Sequence, residues 1–296
     1  MAISSVRARV NGTWYTLTYN STAGAYQATI TAPGATSFRL TGGYYNVEIE
    51  AKNTAGTIAT TSGATLTGLR LVVKETVVPV ITILAPSAGA YVISNMPPIS
   101  CNVVDEANGS GINLSTLAVR VDGVTIPHTT TAITNGYAVT ATPTTALSDG
   151  THTITVNVRD NDGNAAVQKS STFTVDTIPP TLNISAPAVG LITNAASLTV
   201  QGTTNDATSS PVTVSMTLNG TAQSAVTVTN GAFSKVVTLV EGTNTIVVTA
   251  RDTAGKTSSV TRSVILDTTV PRIVSASIAP NPANTGASVV ISVVVT

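Results

Sequence analysis

Residues 149–164 read DGTHTITVNVRDNDGN, and this stretch decides the fold. His152, Ile154, Val156 and Val158 fall on one side of an extended chain, with Thr153, Thr155, Asn157 and Arg159 on the other. A period of two with one apolar side marks a half-buried strand. Asp160 then begins a turn closed by Gly163, where a positive φ is cheap for glycine. The segment reads as a strand and the hairpin that leads into the next one.

The same unit occurs three times. TGGYYNVEIEAKNTAGT (41–57) and EGTNTIVVTARDTAGK (241–256) repeat its opening glycine, its alternation and its closing turn, with Asn53–Gly56 and Asp252–Gly255 in the places of Asp160–Gly163. A second landmark is in phase with the first: KETVVPVITILAP (74–86), VDTIPPTLNISAP (175–187) and LDTTVPRIVSASIAP (266–280) each carry an acid, a threonine, prolines and an alternating apolar run. From Glu75 to Asp176 is 101 residues, and from Asp176 to Asp267 is 91, each the length of one β-sandwich domain. A third landmark, Asn11-Gly12, Asp122-Gly123 and Asn219-Gly220 between apolar runs, is the strongest short-range hairpin signal. Pro79, Pro179, Pro180 and Pro271 stand at the joints and stiffen them.

Composition agrees. Of the 296 residues, 42% are hydrophobic, 4% aromatic and 9% charged, which suits pleated strands and polar turns and predicts almost no helix. The expected architecture is all-β, tandem β-sandwiches in an extended rod, incomplete at each end. Fourteen basic and fourteen acidic residues give zero net charge with no basic stripe, so nucleic acid has no electrostatic footing. No apolar run of about 18 residues predicts a membrane span, and no signal-peptide run follows Met1. If Met1 is the natural start, the chain is expected to be made in the cytosol and not exported by that route. Cys101 is the only cysteine, so no intrachain disulfide is expected and a buried apolar role is.

The run from Val156 to Pro180, VxxxDxxGN…FTVDTIPP, resembles the bacterial Ig-like domains of surface adhesins and phage tail proteins. The opening VNGTWYTLTYNSTAGAYQATITAP (10–33) and the ending SIAPNPANTGASVVISVVVT (277–296) look like Ig-like proteins encoded in prophage tail and baseplate clusters. The resemblance implies a general spacer fold and, in its narrower form, a structural protein of a virion assembled in the host cytoplasm. The alternative it leaves open is a surface adhesin or spacer binding cell-surface glycans. A third possibility, an enzyme accessory domain, lacks a catalytic region to accompany it.

Laid on the repeat, the chain divides into 1–76, 77–177, 178–269 and 270–296. The first segment lacks the two strands that should precede its Asn11-Gly12 hairpin, and the last supplies two, expected at Arg272–Ile278 and Ser288–Thr296. Two missing strands leave edge groups unpaired and forgo burial on the order of 10 kcal/mol or more. In the last strand Val289, Ile291, Val293 and Val295 alternate with Val290 and Val294, a pattern apolar on both faces. Val274, Ile278, Val289, Ile291, Val293 and Val295 are therefore expected to insert into the open first domain of a neighbouring copy, giving head-to-tail self-association. The competing expectation is a first domain complete in itself.

The sequence offers no enzyme chemistry. His128 and His152 are the only histidines, and His152 is expected to be a satisfied core side chain. No catalytic, cofactor or metal residues are assigned. Asp160, Asp162 and Asp176 are expected near one joint, and Asp252 with Asp267 near the next. Such oxygens could hold Ca²⁺, although turn capping by Asp and Asn explains them as well and is the expectation. Asp105–Gly111 reads as a flexible polar loop.

Overall fold

The computed structural model describes residues 2–296. Those residues form strands joined by turns, with one three-residue 3₁₀ turn at Thr67–Leu69 and no α-helix. No helix among them is long and apolar enough to cross a membrane. The chain divides into two compact units, one up to Thr177 and one from Ile178 on.

In the first unit, the N-terminal domain is built on a five-stranded antiparallel sheet, with a two-stranded one beside it. The order of the larger one is Ala25–Gln27, Thr13–Asn20, Ile3–Val10, Glu48–Asn53 and Ile58–Ser62. Residues 28–44 carry no strand, and Tyr45–Asn46 pairs only with Arg70–Leu71. The following domain has two sheets. One runs His128–Ile133, Gly136–Ala141, Ile99–Val104, Val80–Ala85; the other runs Val124–Thr125, Ile112–Val121, Gly150–Asp160, Lys169–Val175, Ala90–Val92. The strand read from residues 149–164 lies in the middle of the second sheet. His152, Ile154, Val156 and Val158 are buried, as its alternation requires.

The second unit repeats this plan. Thr181–Ala186, Ser197–Asn205, Ala232–Thr238 and Val228–Thr229 make one sheet, while Ile192–Thr193, Thr257–Leu266, Gly242–Arg251, Thr213–Leu218 and Thr221–Ala222 make the other. Ile273–Ala279 and Val290–Val295 pair with each other and with no other described strand. These two strands stop one or two residues inside the expected Arg272–Ile278 and Ser288–Thr296 at most ends, the usual fraying of a ladder.

The three Asn/Asp-Gly hairpins adopt the geometry their dipeptides favour. Asn11, Asp122 and Asn219 have φ of 47°, 49° and 51°, and the glycines that follow have φ of 82°, 82° and 81°. Positive φ at both turn residues gives the twist that matches right-handed strands. Seventeen buried residues make the core of the second domain and fourteen that of the third. In the N-terminal domain only Val6, Val10 and Tyr45 among the described hydrophobic residues reach that burial. The inner face of its sheet is met by the short Tyr45–Asn46 and Arg70–Leu71 ladder and not by a four-stranded sheet.

Candidate functional site

Two features stand out from the scaffold. The first is the pair Ile273–Ala279 and Val290–Val295. Val274, Ile278, Val289, Ile291, Val293 and Val295 are each between 44% and 68% exposed. Within the ladder Ile278 stands opposite Ile291 and Ala276 opposite Val293, so one face is almost wholly aliphatic. The equivalent pairs in the complete sandwiches, Val80–Ala85 with Ile99–Val104 and Thr181–Ala186 with Ser197–Asn205, bury Ile81, Ile99, Cys101, Val103, Ile184 and Val200 against an opposing sheet. Against this stands the N-terminal sheet, whose inner face lines an apolar cleft of about 300 Å³ between Ala8, Val10, Tyr15, Leu17, Ile30 and Leu71.

The outer face of that sheet is polar. Arg7 pairs with Glu50 at 2.9 Å and lies 4.2 Å over the Trp14 ring; Arg9 meets Glu48 at 3.3 Å. Trp14 and Tyr19 are both exposed, but their odd spacing along Thr13–Asn20 puts them on opposite faces of the strand. Tyr19 packs instead on Tyr26 of the neighbouring strand, with ring centroids 5.3 Å apart.

His152 is buried and fully bonded. Its Nδ1 is 2.6 Å from Asp122 Oδ2 and its Nε2 is 2.8 Å from the Ser148 carbonyl. Both partners are acceptors, and a neutral imidazole has only one N–H to donate. Burial works against the charged ring, but the Asp122 and Ser148 hydrogen bonds outweigh it and raise its pKa above the ordinary histidine value. His152 is thus paired with a carboxylate in a structural role. Cys101 is buried and its thiol is pushed up to about 11, which leaves no thiolate for chemistry.

The second feature is carboxylate. The expected grouping of Asp160 and Asp162 with Asp176 is not found. Gly150 pairs with Val175, so Asp176 follows one end of the strand whose other end is Asp160, about 30 Å away. Asp252 and Asp267 are separated in the same way, since Gly242 pairs with Leu266 and Arg251 with Thr257. An antiparallel strand carries its two flanking acids to opposite ends of the sandwich.

Asp162 instead meets the segment that joins the first two domains. Asp162 Oδ2 accepts from the Thr36 hydroxyl and, at 3.0 Å, from the Glu75 N–H; the Asn164 amide donates to the Glu75 carbonyl at 3.1 Å. Asp160 Oδ1 caps the Gly163 and Asn164 N–H groups, which is the turn-capping role expected of it. Asp105–Gly111 is not the flexible polar loop its composition suggests. Asp105, Gly109 and Ser110 are buried, because the loop folds back onto Glu75.

That packing brings Glu75, Asp105 and Glu106 together, with one carboxylate oxygen of each within 4.8 Å of the other two. Burial, with Glu75 and Asp105 beside it, pushes the Glu106 carboxyl up to about 8. Burial opposes ionisation of Glu75 too, but hydrogen bonds with Glu106 and from Ser110 outweigh it and hold that carboxyl below its usual range. Sequence reasoning missed this trio. The signal was there: Glu75 occupies the place of Asp176 in the repeat, and Asp105 stands ahead of its sandwich's central strands as Asp206 does in the third domain.

Compared with known proteins, residues 104–177 match the family model of a bacterial Ig-like domain, and residues 180–268 match that of glucodextranase domain B. No curated protein matches the chain. Among solved structures, the fibronectin(III)-like modules of Clostridium thermocellum CbhA are 20% identical over 64% of this chain and 94% of theirs, with a TM-score of 0.38. A bacterial ice-binding adhesin, described for its host cell surface retention, is 22% identical over 90% of this chain and 88% of its own, at 0.33. The N-terminal eight Ig domains of Down syndrome cell adhesion molecule are 14% identical over 92% of this chain and 34% of that one, at 0.39.

Proposed function

From a chain whose second domain belongs to the bacterial Ig-like family, we propose a non-enzymatic structural protein that links or decorates the subunits of a phage tail or similar assembly. Its domains act as stiff spacers, and its partners are protein subunits of the same particle. In this reading residues 270–296 supply two strands to the N-terminal sheet of a neighbouring copy, joining chains head to tail. The observation that carries it is the exposed aliphatic ladder of Ile273–Ala279 with Val290–Val295. Two strands of this kind complete a sheet in each finished sandwich of the chain, and the N-terminal sheet presents an apolar cleft faced only by the short Tyr45–Asn46 and Arg70–Leu71 ladder and its neighbours. Backbone pairing would give the contact its affinity, and the alternating Val and Ile its register.

The test is the mass in solution of the full chain and of a chain ending at Pro271. The full chain is expected to form concentration-dependent oligomers and the shortened one to stay monomeric. Equal monomeric masses would end the self-association reading.

A further inference from the structure

The geometry points to one acceptor edge for the donated strands: residues 25–31 of a neighbouring copy, against which the free side of Val290–Val295 pairs. This rests on the self-association reading above and names the surface that reading uses.

The finished sandwiches supply the pattern. In the second domain Ile99–Val104 lies between Val80–Ala85 and Gly136–Ala141, and in the third Ser197–Asn205 lies between Thr181–Ala186 and Ala232–Thr238. In the tail, Val290 stands opposite Ala279 as Ser100 stands opposite Ala85 and Gln201 opposite Ala186. Val290–Val295 is therefore the strand that belongs in the middle. One side of it is bonded to Ile273–Ala279, and no described strand pairs with the other.

The N-terminal domain holds the missing neighbour. Gly24-Ala25-Tyr26 repeats Gly231-Ala232-Phe233, where the strand Ala232–Thr238 begins. Residues 13–17 pair with residues 6–10, while residues 18–20 pair with Ala25–Gln27. Ala25–Gln27 is thus bonded on one side, as Gly136–Ala141 is to His128–Ile133, and meets no described strand on the other. Residues 28–32 make no backbone hydrogen bond among the described residues, and Ala28 and Ile30 line the apolar cleft. Unpaired N–H and C=O groups beside such a cleft are a template for an incoming strand. The completed sheet runs 18–20, 25–31, Val290–Val295, Ile273–Ala279, the order of His128–Ile133, Gly136–Ala141, Ile99–Val104, Val80–Ala85.

The opposite edge, Ile58–Ser62, does not fit. Its counterparts Lys169–Val175 and Thr257–Leu266 take short parallel strands, Ala90–Val92 and Ile192–Thr193, from the stretch that links the two strands now donated. In the tail that stretch, residues 280–288, carries no strand and no Val, Ile or Leu.

With Ala25, Gly136 and Ala232 as the first residues of equivalent strands, two registers follow. Ile291 faces Ala28, as Cys101 faces Val139, or Tyr26, as Gly202 faces Phe233. Facing residues lie within disulfide reach. The test mixes a full chain carrying Ile291→Cys with one carrying Ala28→Cys, Tyr26→Cys or Thr60→Cys, oxidises mildly and reads covalent dimer on a non-reducing gel. Cys101 is buried in every chain and sets the background. The mixture with Ala28→Cys or that with Tyr26→Cys should give at least ten times the dimer of the Thr60→Cys mixture, and two acceptor positions keep the test open if one substitution prevents folding. Oligomers that yield no such dimer, or as much through Thr60→Cys, would overturn the edge assignment and leave self-association standing. A full chain that is monomeric in solution would overturn both.

Discussion

The second and third domains place different chemistry at one position of the same strand. In the second, His152 bridges Asp122 at the Asp-Gly turn and the Ser148 carbonyl. In the third, Asn244 stands in that place, fully buried. Its Oδ1 accepts from Asn219 at the Asn-Gly turn and from the Val240 N–H, and its amide donates to the carbonyls of Val240 and Gly242. Both knots fasten a hairpin tip to the next strand, through Asp122 Oδ1 on the Thr153 N–H and Asn219 Oδ1 on the Thr245 N–H. The fold thus requires a satisfied polar group at this place and leaves its charge open. One domain titrates there and the other does not.

The comparison extends to the turn that follows. Asp160 bonds the Asn164 side chain through Oδ2, whereas position 256 is a lysine and Asp252 Oδ2 is left buried without a partner. The N-terminal domain departs further: Tyr45, the residue in the place of His152, reaches the Ala35 carbonyl, and few hydrophobic residues are buried around it.

The largest break in the comparison should come from the cores. Ile154 and Ile246 are both completely buried, in different units. Ile154→Ala and Ile246→Ala should each cost about 2–5 kcal/mol in their own domain. Denaturation curves should show one transition moved by each substitution and the other left in place; a shift of both would show that the cores are not independent.

The knots should differ next, in their response to pH. His152 has a folded pKa raised above its unfolded value, so its contribution is fully present below about pH 6.5 and is lost as pH rises through the folded pKa. Burial opposes it, but the bond to His152 and that from the Thr153 N–H hold the Asp122 carboxyl below its usual range, so Asp122's share is lost in acid. Urea midpoints of the second domain should therefore fall as pH rises above neutrality. His152→Asn, which copies the third domain, should flatten that slope. A slope unchanged in this variant would reject the ion-pair reading.

The smallest effect belongs to the outer face of the N-terminal sheet. Arg7 pairs with Glu50 where the arginine side chain is 45% exposed. Exposed pairs of this sort contribute little, so Glu50→Gln should leave the unfolding midpoint within experimental error, measured against the Ile154→Ala shift.

Much of the fold is legible in the chain. The alternation of 149–164, the three Asn/Asp-Gly pairs and the recurring prolines each act through neighbours in sequence, so their strands and turns follow from local rules. Cys101 and His152 are found in the buried roles their strand positions imply. The acids were legible only in part. Turn capping by Asp160 involves residues three and four positions on, and reads directly. The partner of Asp162 is Glu75, 87 residues away, and no local pattern names it.

By itself, the sequence determined period, turn type and repeat length, because each depends on backbone preferences within a few residues. Only the tertiary structure decided which carboxylates share a space. An antiparallel strand sends its flanking acids to opposite ends of a sandwich, while a loop folding onto a linker brings together Glu75, Asp105 and Glu106. Burial, which gives such a group its electrostatic strength, is a property of packing and not of spacing along the chain.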